Sequence, residues 1–111
     1  MTRNIRFGTD GVRGPAGTWP ISTKGAETIG NGLAQWTQSG EVYIGQDTRE
    51  SSPELVAALA RGLVEGGSTA TKLGVVPTAA VSMAVKQDGV AAGVMVTASH
   101  NPPQDNGYKV Y

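Results

Sequence analysis

Chemistry in this chain is most concentrated at Thr97-Ala98-Ser99-His100-Asn101-Pro102, where a serine hydroxyl stands beside the single histidine. Serine is a weak nucleophile until its surroundings activate it, so the chemistry on offer is covalent group transfer. Neighbouring residues need not point the same way, so His100 is not by adjacency the base for Ser99. The same residue types favour loops, and on spacing alone a plain turn is the stronger reading. No Ser-His-Asp triad follows from residue order. A second cluster, Gly8-Thr9-Asp10-Gly11-Val12-Arg13-Gly14, has glycines that let backbone N–H groups approach an oxyanion and an arginine to fork onto it. It lacks the Gly-Lys-Ser/Thr ending of a P-loop and is no dinucleotide fingerprint. A tight turn with a solvated arginine explains it equally well. Arg49, in Gln46-Asp47-Thr48-Arg49, reads better as a structural bridge to Asp47 than as a phosphate ligand. By composition Lys109 is a surface lysine, and Asp105 and Asn106 are turn residues. Hard divalent cations want clustered oxygen ligands. There is no Asp-x-Asp pair, and Asp10, Asp47 and Asp105 are far apart in sequence, so no complete Mg²⁺ site can be assembled.

These residues need a scaffold, and the composition bounds it. The chain has 111 residues, one domain on the usual prior of roughly 100–200 residues. Apolar residues make up 39%, enough for a globular core, and the formal net charge is zero, so bulk charge suggests neither a polyanion nor a polycation partner. Aromatic residues are few, which argues against a stacking platform for single-stranded nucleic acid. Without cysteine there are no disulfides, thiolate metal sites or cysteine nucleophile. No apolar run approaches the length of a membrane span, and residues 1–6 lack the apolar stretch of a signal peptide, so the cytoplasm is the expected compartment.

Strand-like and helix-like segments alternate. A short strand is expected over 4–8, followed by the glycine-rich loop to Gly14. A helix is expected from about Thr23 to Thr37, with Ile29, Leu33 and Trp36 on one face. It contains Gly25, Gly30 and Gly32, so packing rather than propensity must hold it. Residues 41–45 read as a strand. Ser51-Ser52-Pro53-Glu54 has the form of a capping box opening a helix with Leu55, Leu59 and Leu63 on one face, ended by Gly66-Gly67. A buried strand over 70–76 and a helix from Pro77-Thr78 to Asp88-Gly89 follow. Residues 90–97 form the most uniformly apolar run, suited to a central parallel strand covered on both faces. Residues 107–111 read as a last short strand. The fold class is therefore α/β: a three-layer α/β/α domain with a mainly parallel mixed sheet, spanning 1–111. In such sheets ligands bind beyond the carboxyl ends of the strands, where the loops at 46–49, 77–78 and 98–102 all fall.

Four segments together resemble one family. Phe7-Gly8-Thr9-Asp10-Gly11-Val12-Arg13-Gly14 is similar to the opening motif of the α-D-phosphohexomutases. Gly45-Gln46-Asp47-Thr48-Arg49 is similar to their second motif, which usually carries Arg where Gln46 stands. Gly74-Val75-Val76-Pro77-Thr78 resembles a third, and Thr97 to Pro102, continuing to Asn106-Gly107-Tyr108-Lys109, resembles the phosphoserine loop. The resemblance implies that Ser99 carries a phosphoryl group. Ser99 gives it to a phosphorylated hexose or hexosamine and takes back the other phosphoryl group of the resulting bisphosphate. It implies proton transfer or charge stabilisation by Lys109 and His100, phosphoryl neutralisation by Arg13, and Mg²⁺ contacting phosphorylated Ser99. Family members have four domains, and this chain resembles most of the first. The family's three-aspartate metal loop, sugar-recognition loop and phosphate-binding domain are not in it. The isolated chain is therefore expected to fold but turn over little substrate; the rival reading is a non-catalytic domain that folds and self-associates through exposed sheet edges. Thr18-Trp19-Pro20-Ile21 and Asp105-Asn106-Gly107 look like the phosphoglucosamine mutase branch, which interconverts glucosamine 6- and 1-phosphate. Thr97 and the Tyr108 to Tyr111 ending resemble phosphoglucomutase relatives, and a phosphomannomutase or phosphoglucomutase domain is the alternative.

Overall fold

A computed structural model describes residue 5 and residues 11–111. Its elements run β1 (Val12–Pro15), α1 (Thr23–Trp36), β2 (Glu41–Gln46), α2 (Ser52–Glu65), β3 (Thr69–Val75), α3 (Thr78–Asp88), β4 (Ala92–Val96) and β5 (Asp105–Val110). The expected strand over 4–8 and the first part of the glycine-rich loop lie outside the described residues, apart from Ile5, which has no regular structure.

The strands form one mixed sheet in the order β1-β5-β4-β2-β3. β2 pairs in parallel with β3 and β4, whereas β5 runs antiparallel to β4 and β1. Alternation along β2 and β4 sorts the two faces. Val42, Ile44, Val94 and Val96 share a core with Ile29, Leu33, Leu55, Leu59 and Leu63 of α1 and α2. The opposite face carries Gly45 and Gly93, whose missing side chains admit Val81 and Val85 of α3. The result is the three-layer α/β/α arrangement expected from sequence. β4 is buried at every position, because it has a strand on each side and helices on both faces.

Two strands differ from the sequence reading. β3 is not a buried strand but the sheet's edge, with Val75 62% exposed, because only β2 borders it. Val12–Pro15 reads as loop from its flanking glycines, yet it is a strand at the other edge. Pro15 is tolerated there because it is the last residue of a strand bordered on one side only.

α1 opens at Ser22, whose hydroxyl accepts the Gly25 N–H at 3.1 Å. Packing does hold this glycine-rich helix. A Cβ on Gly30 would collide with the Leu59 carbonyl of α2, and one on Gly62 with the Glu27 carbonyl of α1. The two backbones therefore meet along a glycine seam. Trp36 does not join the buried face; it is 69% exposed. The buried stripe turns from Ile29 through Leu33 to Ala34, which meets Gly66 just past α2, and so leaves Trp36 off its edge. Left-handed Gly67 and Gly89 lie at the ends of α2 and α3. Among the described residues no helix is long and apolar enough to cross a membrane.

Candidate active site at the carboxyl ends of the central strands

Because β2 and β4 are parallel neighbours, the segments leaving them emerge side by side, joined by the Asp47 N–H to the Val96 carbonyl at 3.3 Å. β5 is antiparallel to β4, so its first residues, Asp105 and Asn106, return to the same end. Ser99 sits where this convergence is tightest. It follows β4 and buried Ala98, is itself exposed, and has φ +53°. That left-handed conformation is uncommon outside glycine and tends to mark functional turns. The Ser99 N–H donates to Thr97 Oγ1 at 3.0 Å, and the Asn101 N–H closes the turn onto the Ala98 carbonyl at 2.9 Å.

Arg49 is the hub beneath this turn. Nε donates to Asp47 Oδ2 at 3.0 Å. Nη1 donates to the Pro102 and Asp105 carbonyls at 2.6 and 3.0 Å. Nη2 donates to the Ser99 and Asn101 carbonyls at 2.6 and 3.1 Å. A guanidinium has five N–H donors, and here each has an acceptor. Arg49 is thus a structural bridge, as its sequence context suggests, and it binds the loop by its main chain.

Asp47 anchors Arg49. Its Oδ1 accepts the Arg49 N–H at 3.1 Å and the Ser52 hydroxyl at 2.9 Å, and its Oδ2 also accepts the Thr97 hydroxyl at 2.6 Å. Partial burial pushes this carboxyl upward, but the hydrogen bonds from Thr97, the Arg49 amide, Ser52 and the Arg49 guanidinium outweigh it and hold it below the ordinary 3.8. A carboxyl depressed on folding stabilises the fold above its unfolded value, and that contribution is lost as pH falls through the folded value. Asp47→Asn is therefore expected to destabilise the protein at neutral pH and to flatten its acid dependence below about pH 3.8. Chemical denaturation of both forms from pH 7 to pH 2.5 measures this; parallel acid limbs would refute it.

Fully buried Asn106 completes the support. Its Nδ2 donates to the hydroxyls of Ser51 at 2.8 Å and Ser52 at 3.0 Å, and its Oδ1 accepts the Gly107 N–H at 2.9 Å. This overturns the capping box expected at Ser51. Ser51 is helical in φ and ψ and makes no side-chain cap, because its hydroxyl and that of Ser52 are committed to Asn106 and Asp47. The sequence reading missed Ser52, Thr97 and Asn106 as site supports. The available signal was the period of two that puts Asn106 on the same face as Tyr108, the largest fully buried side chain.

The other candidates are placed as follows. Arg13 lies opposite Gly107 in the β1–β5 pairing, and its Nη1 reaches Asn101 Oδ1 at 3.4 Å. Asn101 Nδ2 in turn donates to Asp105 Oδ2 at 3.2 Å. Lys109 lies two residues beyond Gly107 on β5, on the face away from Tyr108, with Nζ 5.8 Å from the Tyr111 ring centroid. His100 is exposed on the turn. An open groove of about 630 Å³ is lined by Asp47, Thr48, Arg49, Glu50, Ser99, Asn101, Pro103 and Gln104. The structure thus brings the loops at 46–49 and 98–105 together. Neither Thr78 nor His100, Arg13 or Lys109 lines that groove.

A hard cation does not fit the described residues alone. Among them no three His, Cys, Asp or Glu side chains gather, and the Asp47 oxygens are already occupied by four donors. Ser99 adds one hydroxyl oxygen, too few for a hard cation that takes about six or more oxygen ligands.

A family model described as phosphoglucomutase/phosphomannomutase, α/β/α domain I, matches residues 4–111. A phosphoglucosamine mutase of Koribacter versatilis is 44% identical over 117 aligned residues, covering all of this chain and 25% of that protein. A phosphoglucosamine mutase of Synechococcus sp. strain CC9605 is 47% identical, covering 95% of this chain and 23% of that protein. The chain thus spans about a quarter of the length of these curated relatives. The crystal structure of a phosphoglucomutase/phosphomannomutase family protein from Burkholderia thailandensis superposes with a TM-score of 0.81 at 34% identity, over 89% of this chain and 24% of that one.

Proposed function

This chain belongs to the phosphoglucomutase/phosphomannomutase family as its α/β/α domain I, and we propose that in the whole enzyme it carries the transferable phosphoryl group on Ser99. The observation that carries this reading is exposed Ser99 on a left-handed turn, lining an open groove and held by a fully engaged arginine. The substrate is a hexosamine phosphate, a choice supported by relatives named phosphoglucosamine mutase.

In the proposed transfer a sugar hydroxyl attacks the phosphorus. The new P–O bond forms as the bond to Ser99 Oγ breaks, the sugar hydroxyl gives up its proton, and Ser99 Oγ takes one. The return step reverses this with the other phosphoryl group of the sugar. Such transfer depends mainly on positioning and charge neutralisation. Lys109 and His100 are the groups assigned to hold the moving proton. Arg13, tied to the Ser99 loop through Asn101, is assigned to offset phosphoryl charge.

Peptide mapping tests the reading. The full-length enzyme that contains this domain is mapped as purified and again after incubation with glucosamine 1,6-bisphosphate. Phosphate is expected on the peptide containing Ser99 and on no other. A folded protein whose Ser99 stays bare after that incubation, or whose phosphate sits elsewhere, overturns the proposal.

A further inference from the structure

The hydrogen bonds around Ser99 close into a ring. The Ser99 N–H donates to Thr97 Oγ1, and the Thr97 hydroxyl donates to Asp47 Oδ2. The same Oδ2 accepts Arg49 Nε, and Arg49 Nη2 returns to the Ser99 carbonyl. Both peptide groups of Ser99 are therefore tied to one carboxylate, one through Thr97 and the other through Arg49. The Ser99 hydroxyl is not part of the ring. We propose that Thr97, Asp47 and Arg49 are positioning residues that lock the left-handed turn at Ser99 and so aim its hydroxyl, without touching the transferred group.

The chemistry of each member fits that role. An L-residue at φ near +53° carries a steric cost that its surroundings must offset. Fixing the N–H on one side and the carbonyl on the other restrains φ and ψ together. Arg49 has no donor left for a phosphoryl oxygen, so its charge acts on the loop rather than on the substrate. A lysine there would keep the charge but lose the planar fork that reaches several carbonyls at once. The Thr97 hydroxyl acts in both directions, accepting from Ser99 while donating to Asp47.

This proposal rests on Ser99 being the phosphoryl carrier, and its test separates the two claims. Thr97→Val, Thr97→Ser and Arg49→Lys are made in the full-length enzyme that contains this domain and compared with the parent. The readouts are the saturating rate of Ser99 phosphorylation by glucosamine 1,6-bisphosphate, its half-saturating concentration, and amide hydrogen exchange across 98–105. Thr97→Val and Arg49→Lys are expected to lower the saturating rate on the order of a hundredfold, as small misplacements of a reacting group do. Exchange across 98–105 is expected to quicken, while the half-saturating concentration stays close to the parent's. Thr97→Ser, which restores the hydroxyl, brings rate and exchange back. If Arg49→Lys fails to fold, the near-isosteric Thr97 pair decides alone. A Thr97→Val protein with parental rate and parental exchange overturns the ring. If the parent takes up no phosphate, the carrier reading fails, and exchange across 98–105 still decides whether the ring holds the turn.

Discussion

Replacing Ser99 by glycine is expected to abolish phosphoryl uptake and, at the same time, to stabilise the fold by about 0.5–1 kcal/mol. The two effects have one origin. Ser99 occupies φ +53°, where an L-residue pays roughly 1–2 kcal/mol that glycine does not. Part of the gain is returned because glycine makes the unfolded chain more flexible. The bonds that hold the turn use the Ser99 N–H and carbonyl, which glycine keeps. Ser99→Ala separates the contributions. It loses uptake equally but keeps the backbone strain, so its stability should stay within about 0.5 kcal/mol of the parent. Urea denaturation of the domain reads the stability, and intact mass of the full-length enzyme after bisphosphate treatment reads the uptake. A glycine variant no more stable than the alanine variant would show that the turn is unstrained. Phosphate taken up by either variant would put the nucleophile elsewhere.

Gly62→Val should badly damage the helical layer, costing about 3 kcal/mol of a total that for domains is roughly 5–15 kcal/mol. The added Cβ would run into the Glu27 carbonyl. That atom belongs to a backbone, so relief requires α1 and α2 to move apart and open the core shared by Ile29, Leu33, Leu59 and Leu63. Gly32 is the internal control. It is exposed, and a Cβ there meets open space. Gly32→Ala should therefore gain about 0.5–1 kcal/mol, as at an unconstrained helix position. A urea midpoint unchanged by Gly62→Val would mean the seam is loose.

These two glycines show where sequence was informative and where it was not. Helix-breaking composition in α1 announced that packing must compensate, but not that Gly30 and Gly62 form the contact while Gly32 faces solvent. β4 was legible because an element covered on every side leaves a uniformly apolar run, as Ala92 to Val96 do. β3 was misjudged because Ala70, Leu73 and Val75 look the same in sequence whether or not a further strand lies beside them. β1 was hidden by Gly11, Gly14 and Pro15. Its strand character comes from β5, nearly a hundred residues away in sequence. The loops of the site were legible from their position after strands, and Ser99 from its place behind the most buried one. The supports were not. Ser51 and Ser52 match a helix start so well that local sequence favours a cap, and only the arrival of Asn106 from a distant strand redirects their hydroxyls.

Arg49 grips carbonyl oxygens, which every amino acid possesses, rather than the side chains of the loop. The shape of the Ser99 turn is consequently heritable apart from the side chains it carries. Evolution, or an engineer, could exchange Ser99 for another small hydroxyl or thiol, or vary the exposed side chains of His100, Pro103 and Gln104, while the mould they are cast in stays the same.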